Sequence, residues 1–97
     1  DPGVAEGLLY KHPAVMECAV VGMKDAKFGE EVAAAVTRKP GSEITEAELL
    51  AYLSQHLKAF MVPKRVFFFD ALPKTGLGKI LKREIRRIID ETPGDRG

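Results

Sequence analysis

Three apolar segments of strand length limit what this chain can fold into. They are Val15–Met23, Glu31–Arg38 and Lys64–Asp70, the last of which contains three consecutive phenylalanines. None of them approaches the ~20 residues of a membrane-spanning helix, so we expect the chain to bury them in a sheet. With 97 residues, 45% of them hydrophobic, the chain has room and apolar material for one core.

Two helices are predicted near the ends of the chain. Asp1-Pro2 is typical of a helix start, with a capping carboxylate before a proline, and His12-Pro13 would end that helix. A last amphipathic helix is predicted from four apolar residues at helical spacing, Leu81, Ile85, Ile88 and Ile89. The polar residues 92–97 form a tail that we expect to fray.

The middle helix has the clearest start in the sequence. Thr45 and Glu48 have the spacing of a capping box, in which each side chain accepts a hydrogen bond from the other residue's N–H. The helix is predicted to continue to Pro63 along one apolar stripe, formed by Leu49, Leu50, Leu53, Leu57 and Phe60. The order helix, strand, strand, helix, strand, helix predicts an α+β fold with a small three-stranded sheet and about three helices packed on it.

Composition and charge exclude several functional classes. The formal net charge of +1 argues against a dedicated nucleic-acid binder, and the first residues lack the basic segment and apolar stretch of a signal peptide. A single cysteine, Cys18, excludes an internal disulfide and fits a reducing compartment. We therefore expect a soluble cytoplasmic protein. His12 and His56 together with Cys18 lack metal-ligand spacing, so no metal site is predicted.

The basic residues are concentrated in one segment. Residues 74–87 carry six basic side chains against one carboxylate, a net charge of +5, whereas residues 1–73 carry 8 basic and 10 acidic side chains. Lys79, Lys82 and Arg83 are predicted at or within the first turn of the last helix. The helix dipole disfavours cations there by ~0.3–1 kcal/mol each, and a bound anion would reverse that balance.

On the residues alone, two interpretations of this basic segment remain open. In the first, Gly76 and Gly78 allow a flexible loop to carry a lysine to a phosphate or carboxylate. In the second, the segment is an ordinary solvated basic helix face. Two established phosphate-binding motifs do not fit, because Pro73 and Ile80 depart from the P-loop pattern and Leu81 departs from the dinucleotide fingerprint.

Several spaced motifs resemble the C-terminal domain of the adenylate-forming enzymes. This superfamily includes acyl-CoA synthetases, peptide-synthetase adenylation domains and beetle luciferases. The segment Leu72–Ile80, which reads Leu-Pro-Lys-Thr-Gly-Leu-Gly-Lys-Ile, resembles its last conserved motif. His12–Val15, Ala19–Gly22, Gly29-Glu30 and Val62-Pro63 agree in order and distance, so the resemblance spans nearly the whole chain.

The resemblance implies that residues 1–97 form a single lid domain, the mobile C-terminal part of a longer enzyme. The continuation Ile80–Arg83 is most similar to acyl-CoA synthetases. It further implies that Lys79 is the catalytic lysine of acyl-adenylate formation. The loop that positions this lysine would contain Pro73, Lys74, Thr75, Gly76 and Gly78.

By the same resemblance, the partner of this chain is a large N-terminal domain that binds ATP, Mg²⁺ and a carboxylic acid such as a fatty acid. The small domain would rotate after adenylation so that CoA can reach the adenylate. The chain would then be a fragment, which we expect to be inactive alone and to bind none of these cofactors alone. The alternatives are a free-standing module that binds CoA, another anion or a protein, or the lid of a luciferase-like or peptide-synthetase enzyme.

Overall fold

A computed structural model describes residues 1–92, which form three α-helices and a three-stranded sheet. The helices and strands are α1 Pro2–Lys11, β1 Val15–Asp25, β2 Gly29–Arg38, α2 Glu46–Ser54, β3 Arg65–Phe68 and α3 Lys82–Glu91. This order confirms the predicted α+β arrangement. No helix in the described part of the chain is long and apolar enough to cross a membrane.

Strand β2 is the centre of a mixed sheet. It pairs antiparallel with β1 and parallel with β3, and α2 makes the crossover that a parallel pair requires. The hairpin between β1 and β2 closes at Asp25 and Gly29, and Lys24 still pairs with Glu30 beside that turn. Gly29 has a φ of 82°, a conformation that glycine adopts without strain.

Each face of the sheet is covered by helices. Helices α1 and α2 pack on one face, which we call the α1/α2 face, and α3 packs on the other, the α3 face. Three fully buried alanines in the middle of β2 let the helices approach closely, with Ala34 on the α1/α2 face and Ala33 and Ala35 on the α3 face. The phenylalanines follow the same alternation: Phe68 packs on the α1/α2 face, whereas Phe67 and Phe69 pack on the α3 face.

The predicted helix starts are confirmed by their hydrogen bonds. The Asp1 carboxylate accepts the Gly3 N–H at 3.0 Å, with Pro2 in the first turn of α1. At α2, Thr45 Oγ1 accepts the Glu48 N–H at 3.1 Å, and Glu48 Oε1 accepts the Thr45 N–H at 3.0 Å. These bonds satisfy amides that have no partner inside a helix.

The predicted length of the middle helix is wrong. Helix α2 ends at Ser54. The Gln55 amide is shared between the carbonyls four and three residues back, and the His56 amide bonds three residues back, which tightens the last turn. Leu57 still reaches the core from the turn that follows, but Phe60 lies in the short 3₁₀ helix Ala59–Met61 and is 84% exposed. Apolar spacing alone does not distinguish one continuous helix from a helix followed by a separate turn.

Helix α3 begins later than predicted. Its first residue is Lys82, its N-cap is Leu81, and no side chain caps it. Lys79 therefore lies before the helix rather than in its first turn. The tail predicted to fray spans residues 92–97, of which 93–97 lie outside the described residues. Thr92 marks the end of α3, where its hydroxyl donates to the Ile88 carbonyl at 2.7 Å.

Candidate functional site

The segment between β3 and α3 folds into a small hairpin with Lys79 near its tip. Lys74 pairs with Ile80 in an antiparallel bridge, and the Leu81 N–H donates to the Pro73 carbonyl at 2.9 Å. At the tip the Gly78 N–H donates to the Thr75 carbonyl at 2.9 Å. We call residues 73–81 the lysine hairpin. The predicted flexible loop is thus an ordered turn with its own hydrogen-bond ladder.

The turn type explains one of the two glycines. The Thr75 N–H donates to the Lys79 carbonyl at 2.8 Å, which closes a three-residue loop over Gly76, Leu77 and Gly78. Such loops need a left-handed residue in the third position, and Gly78 occupies it with a φ of 91°. Gly76 has no positive φ, so of the two glycines it is Gly78 that adopts the left-handed conformation in this turn.

Thr75 bonds to Lys79 in two ways. Besides the backbone bond, Thr75 Oγ1 accepts the Lys79 N–H at 3.1 Å. The N–H and C=O of Lys79 are therefore both held by Thr75, and the direction of the lysine side chain from the backbone is fixed by these bonds. A side chain whose backbone is ordered in this way loses less conformational freedom when it binds a ligand.

The base of the lysine hairpin is attached to the core. Leu72, just before it, is buried on the α3 face, and Ile80 packs against the same cluster. Lys74 Nζ lies 2.6 Å from Glu17 Oε2 on β1. In contrast the tip is open to solvent, with Leu77 fully exposed and Lys79 exposed beside it. The hairpin therefore has a fixed base and an accessible end.

The positive charge of residues 74–87 is largely offset by carboxylates. Four of the six basic residues form ion pairs, which are Lys74–Glu17, Lys82–Glu6, Arg86–Glu30 and Arg87 with Glu84 and Glu91. Lys79 and Arg83 are exposed and form no ion pair with any residue between 1 and 92. These two cations are the ones free to meet an external anion.

Lys82 shows how the fold resolves a charge placed against the helix dipole. The Lys82 ammonium lies 2.7 Å from Glu6 Oε2, and the same oxygen accepts the Val20 N–H at the outer edge of β1. One carboxylate on α1 thereby neutralises a cation at the start of α3 and satisfies a sheet-edge amide. In the first turn of α3, a hydrogen bond from Arg87 holds the pKa of Glu84 below its ordinary value.

The predicted positioning residues differ in what they do here. Pro73, Lys74 and Thr75 all contact the opposite strand or the sheet, and Gly78 forms the turn. Gly76 contributes only its place in the loop. Sequence reasoning missed Glu17, because a contact between β1 and a hairpin more than fifty residues later leaves no local signal.

The two histidines and the cysteine considered in the sequence as metal ligands pack against other residues of the domain. His12 and His56 both lie edge-on to Tyr52, with ring centroids 4.7 and 5.1 Å away. Cys18 is buried on the α1/α2 face, and burial raises the pKa of its thiol to about 12. Among residues 1–92, no group of three or more histidine, cysteine or acidic side chains is arranged to hold a metal ion.

An apolar hollow lies away from the lysine hairpin. It is formed where the start of α1, the middle of the β1–β2 pair and the 3₁₀ helix meet, and Val32, Phe60 and Met61 line it. The exposed Phe60 side chain, expected in a helix stripe, stands at this hollow instead.

Comparison with known proteins places the same residues in a family. Residues 5–79 match the family described as AMP-binding enzyme C-terminal domain. A feruloyl-CoA synthase from Amycolatopsis sp is 49% identical over 86 residues, and an oxalate–CoA ligase from Arabidopsis thaliana is 40% identical over 93 residues. These matches cover 89% and 96% of this chain but 18% of each relative.

Solved structures agree with the fold. ATP-bound MatB from Rhodopseudomonas palustris superposes with a TM-score of 0.87 at 38% identity. The match covers 93% of this chain and 18% of that protein. The chain therefore spans less than a fifth of the length of these relatives.

Proposed function

The chain belongs to the AMP-binding enzyme C-terminal domain family, and we propose that it is the C-terminal lid of an AMP-forming acyl-CoA synthetase. Such an enzyme joins a carboxylic acid to CoA through an acyl-adenylate. The names of the relatives support an acid–thiol ligase, since one is a feruloyl-CoA synthase and another an oxalate–CoA ligase. Activity would require a large ATP- and acid-binding domain outside these residues.

In this proposal Lys79 is the catalytic residue of the adenylation half-reaction. The observation that carries it is an exposed ammonium without an ion pair in residues 1–92, near the tip of a hairpin whose base is fixed. During adenylation a carboxylate oxygen attacks the α-phosphorus of ATP and pyrophosphate leaves. Negative charge develops on the phosphoryl oxygens, and a lysine held beside them stabilises that transition state.

The lysine hairpin suits insertion into a neighbouring pocket. Its tip carries Leu77 and two glycines beside Lys79, so the end that enters is narrow and mostly uncharged. The Thr75 bonds keep the Lys79 backbone in place, which reduces the entropy lost when the ammonium meets its substrate. Closure of this domain would also exclude water from a reactive adenylate.

The cofactors follow from the same reaction. ATP and CoA are substrates. Mg²⁺ would bind the ATP phosphates, since proteins usually hold this ion through substrate phosphates and only one or two carboxylates. Residues 1–92 contain no acidic cluster suited to a metal, so the proposal assigns Mg²⁺ to the large domain. The proposal includes rotation of the lid between adenylation and the attack by CoA. It also includes a cytoplasmic location, which fits the one buried thiol.

The experiment uses the longer enzyme that contains this chain. Pyrophosphate release from ATP is followed across a panel of carboxylic acids, with the substitutions Lys79→Ala and Lys39→Ala compared in parallel. Lys39 is an exposed lysine in the loop after β2, so it controls for loss of surface charge. We expect Lys79→Ala to slow adenylation by at least ~10²-fold and Lys39→Ala to leave it unchanged. Equal rates for the two variants would overturn the role of Lys79.

A further inference from the structure

We propose that Glu17 is a positioning residue for Lys79, acting through Lys74. The inference rests on the proposed function, because it concerns how the catalytic lysine is held. Glu17 Oε2 lies 2.6 Å from Lys74 Nζ, and Lys74 pairs across the lysine hairpin with Ile80, the neighbour of Lys79. This ion pair is thus a side-chain link between the sheet and the two short strands that carry the lysine.

A bulge in β1 aims Glu17 at the hairpin. Val15 pairs with Arg38 and Glu17 pairs with Thr37, so Met16 is an additional residue in β1. In a regular strand Val15 and Glu17 would lie on the same face. Here Val15 is buried on the α1/α2 face, whereas Glu17 reaches Lys74 on the side where the hairpin packs. Bulges commonly redirect a side chain in this way.

A buried hydroxyl holds the bulge in place. Thr37 is 3% exposed and is the one buried polar residue among those described. Its Oγ1 accepts the Glu17 N–H at 3.0 Å. Replacing the hydroxyl with a methyl group would leave that amide without its partner. The hydrogen bond therefore fixes the backbone of the residue that holds Lys74.

Partial burial makes this ion pair stronger than the more exposed pair between Arg87 and Glu84 in the same basic segment. The Glu17 and Lys74 side chains are 29% and 35% exposed, whereas those of Arg87 and Glu84 are 51% and 42% exposed. Exposed pairs are screened by water and salt and contribute little. A half-buried pair between distant segments is better able to restrict how far the hairpin base can move against β1.

Loss of Glu17 should loosen the hairpin without unfolding the domain. The cross-hairpin bonds and the packing of Leu72 and Ile80 remain, so the turn still forms. What changes is the precision with which the Lys79 ammonium is delivered, and a catalytic rate is more sensitive to such displacement than substrate binding is.

The test compares two matched substitutions in the longer enzyme, Glu17→Gln and Glu46→Gln. Glu46 pairs with Arg65 at 2.7 Å and is 33% exposed, so it is a similar half-buried pair, but it lies at the other edge of the sheet. Glutamine keeps the size and an acceptor oxygen in both cases. We expect Glu17→Gln to lower kcat for adenylation by about tenfold with little change in the KM for ATP. Glu46→Gln should leave kcat unchanged.

A charge reversal tests whether the pair itself is responsible. Glu17→Lys and Lys74→Glu each place like charges together, and the double variant restores an opposite-charge pair. We expect each single variant to lower kcat and the double variant to recover most of the loss. A double variant no better than the worse single variant would overturn the proposal.

Further readouts separate this inference from the proposed function. In the 97-residue chain, Glu17→Gln should speed hydrogen exchange of the Thr75 and Gly78 amides, which bond across the lysine hairpin, while exchange in β2 stays unchanged. If Lys79→Ala slows adenylation but Glu17→Gln does so no more than Glu46→Gln, positioning by Glu17 is wrong and the proposed function stands. If Lys79→Ala has no effect, both fail.

Discussion

Thr75 and Lys79 are joined by two hydrogen bonds across the lysine hairpin. The Thr75 N–H donates to the Lys79 carbonyl at 2.8 Å, and Thr75 Oγ1 accepts the Lys79 N–H at 3.1 Å. An exposed lysine is usually among the most mobile residues of a domain. Here the backbone N–H and C=O of Lys79 are both hydrogen-bonded, so only the side chain is free to move. A lysine that must reach the same position in every catalytic cycle needs such a backbone.

Removing the Thr75 hydroxyl should slow adenylation without changing the fold. Thr75→Val keeps the side-chain shape and removes the acceptor for the Lys79 N–H, which water can replace because the site is exposed. We expect adenylation in the longer enzyme to fall by about threefold to tenfold. Thr75→Ser keeps the hydroxyl and should retain nearly the full rate. If valine and serine behaved alike, the hydroxyl would have no positioning role.

The two glycines of the hairpin should respond differently to alanine. Gly78 has a φ of 91°, so Gly78→Ala should strain the turn by roughly 1–2 kcal/mol. Gly76 has no positive φ, and no atom beyond its two chain neighbours lies within 4 Å of the position of an added Cβ, so Gly76→Ala is the matched control. Amide exchange at Thr75 and Gly78 measures the effect, which should appear in Gly78→Ala alone. Comparable exchange in both variants would contradict this turn geometry.

The corrected length of α2 predicts a large difference between two apolar residues of the expected stripe. Leu53 is fully buried, so Leu53→Ala should lower the free energy of unfolding by about 2–5 kcal/mol. Phe60 is 84% exposed, so Phe60→Ala should change it by no more than about 0.5 kcal/mol. Urea unfolding of the 97-residue chain compares them. A large loss for Phe60→Ala would instead support the longer helix predicted from the sequence.

Burial of Cys18 predicts a protected thiol and an alkaline loss of stability. The thiol is 2% exposed, and desolvation first, then the nearby Glu6 charge, raises its pKa from 9.0 to about 12. Because the pKa is higher in the folded state, folding favours the neutral thiol. The stability that the buried neutral thiol contributes to the folded state is present below pH 9 and is lost as the pH rises toward 12.

Two measurements check this prediction for Cys18. A thiol reagent at pH 8 should react with the 97-residue chain only after urea unfolds it, because the folded thiol is neutral and inaccessible. The difference in unfolding free energy between the wild-type chain and Cys18→Ala should shrink as pH rises above 9. Rapid labelling of the native chain would mean that the thiol is not buried as described.

Local patterns in the sequence predicted local structure well. The Thr45–Glu48 capping box and the Asp1-Pro2 start are hydrogen bonds within four residues, so their spacing alone identifies them. Continuous apolar runs identified the three strands, because burial on both faces of a sheet leaves few polar positions along a strand. The apolar spacing predicted a helix longer than α2. A separate turn after α2 places Leu57 against the same core, so the spacing continues although the helix does not.

The parts that sequence reasoning missed depend on contacts between distant segments. The Glu17–Lys74 pair joins residues 57 positions apart, and the bulge that aims Glu17 is held by Thr37 on another strand. In the same way, the basic segment looked strongly charged only because its partners Glu6, Glu17 and Glu30 lie elsewhere in the chain. The exposed Lys79 was identified through its motif, and the fold explains why it remains without an ion pair in residues 1–92.

The most direct test of the account supplies acyl-adenylate and CoA to the Lys79→Ala form of the longer enzyme and measures single-turnover thioester formation. A lysine that serves adenylation alone should leave this rate within about threefold of the wild-type rate, while adenylation falls by at least ~10²-fold. A loss of similar size in both half-reactions would contradict a step-specific role for Lys79.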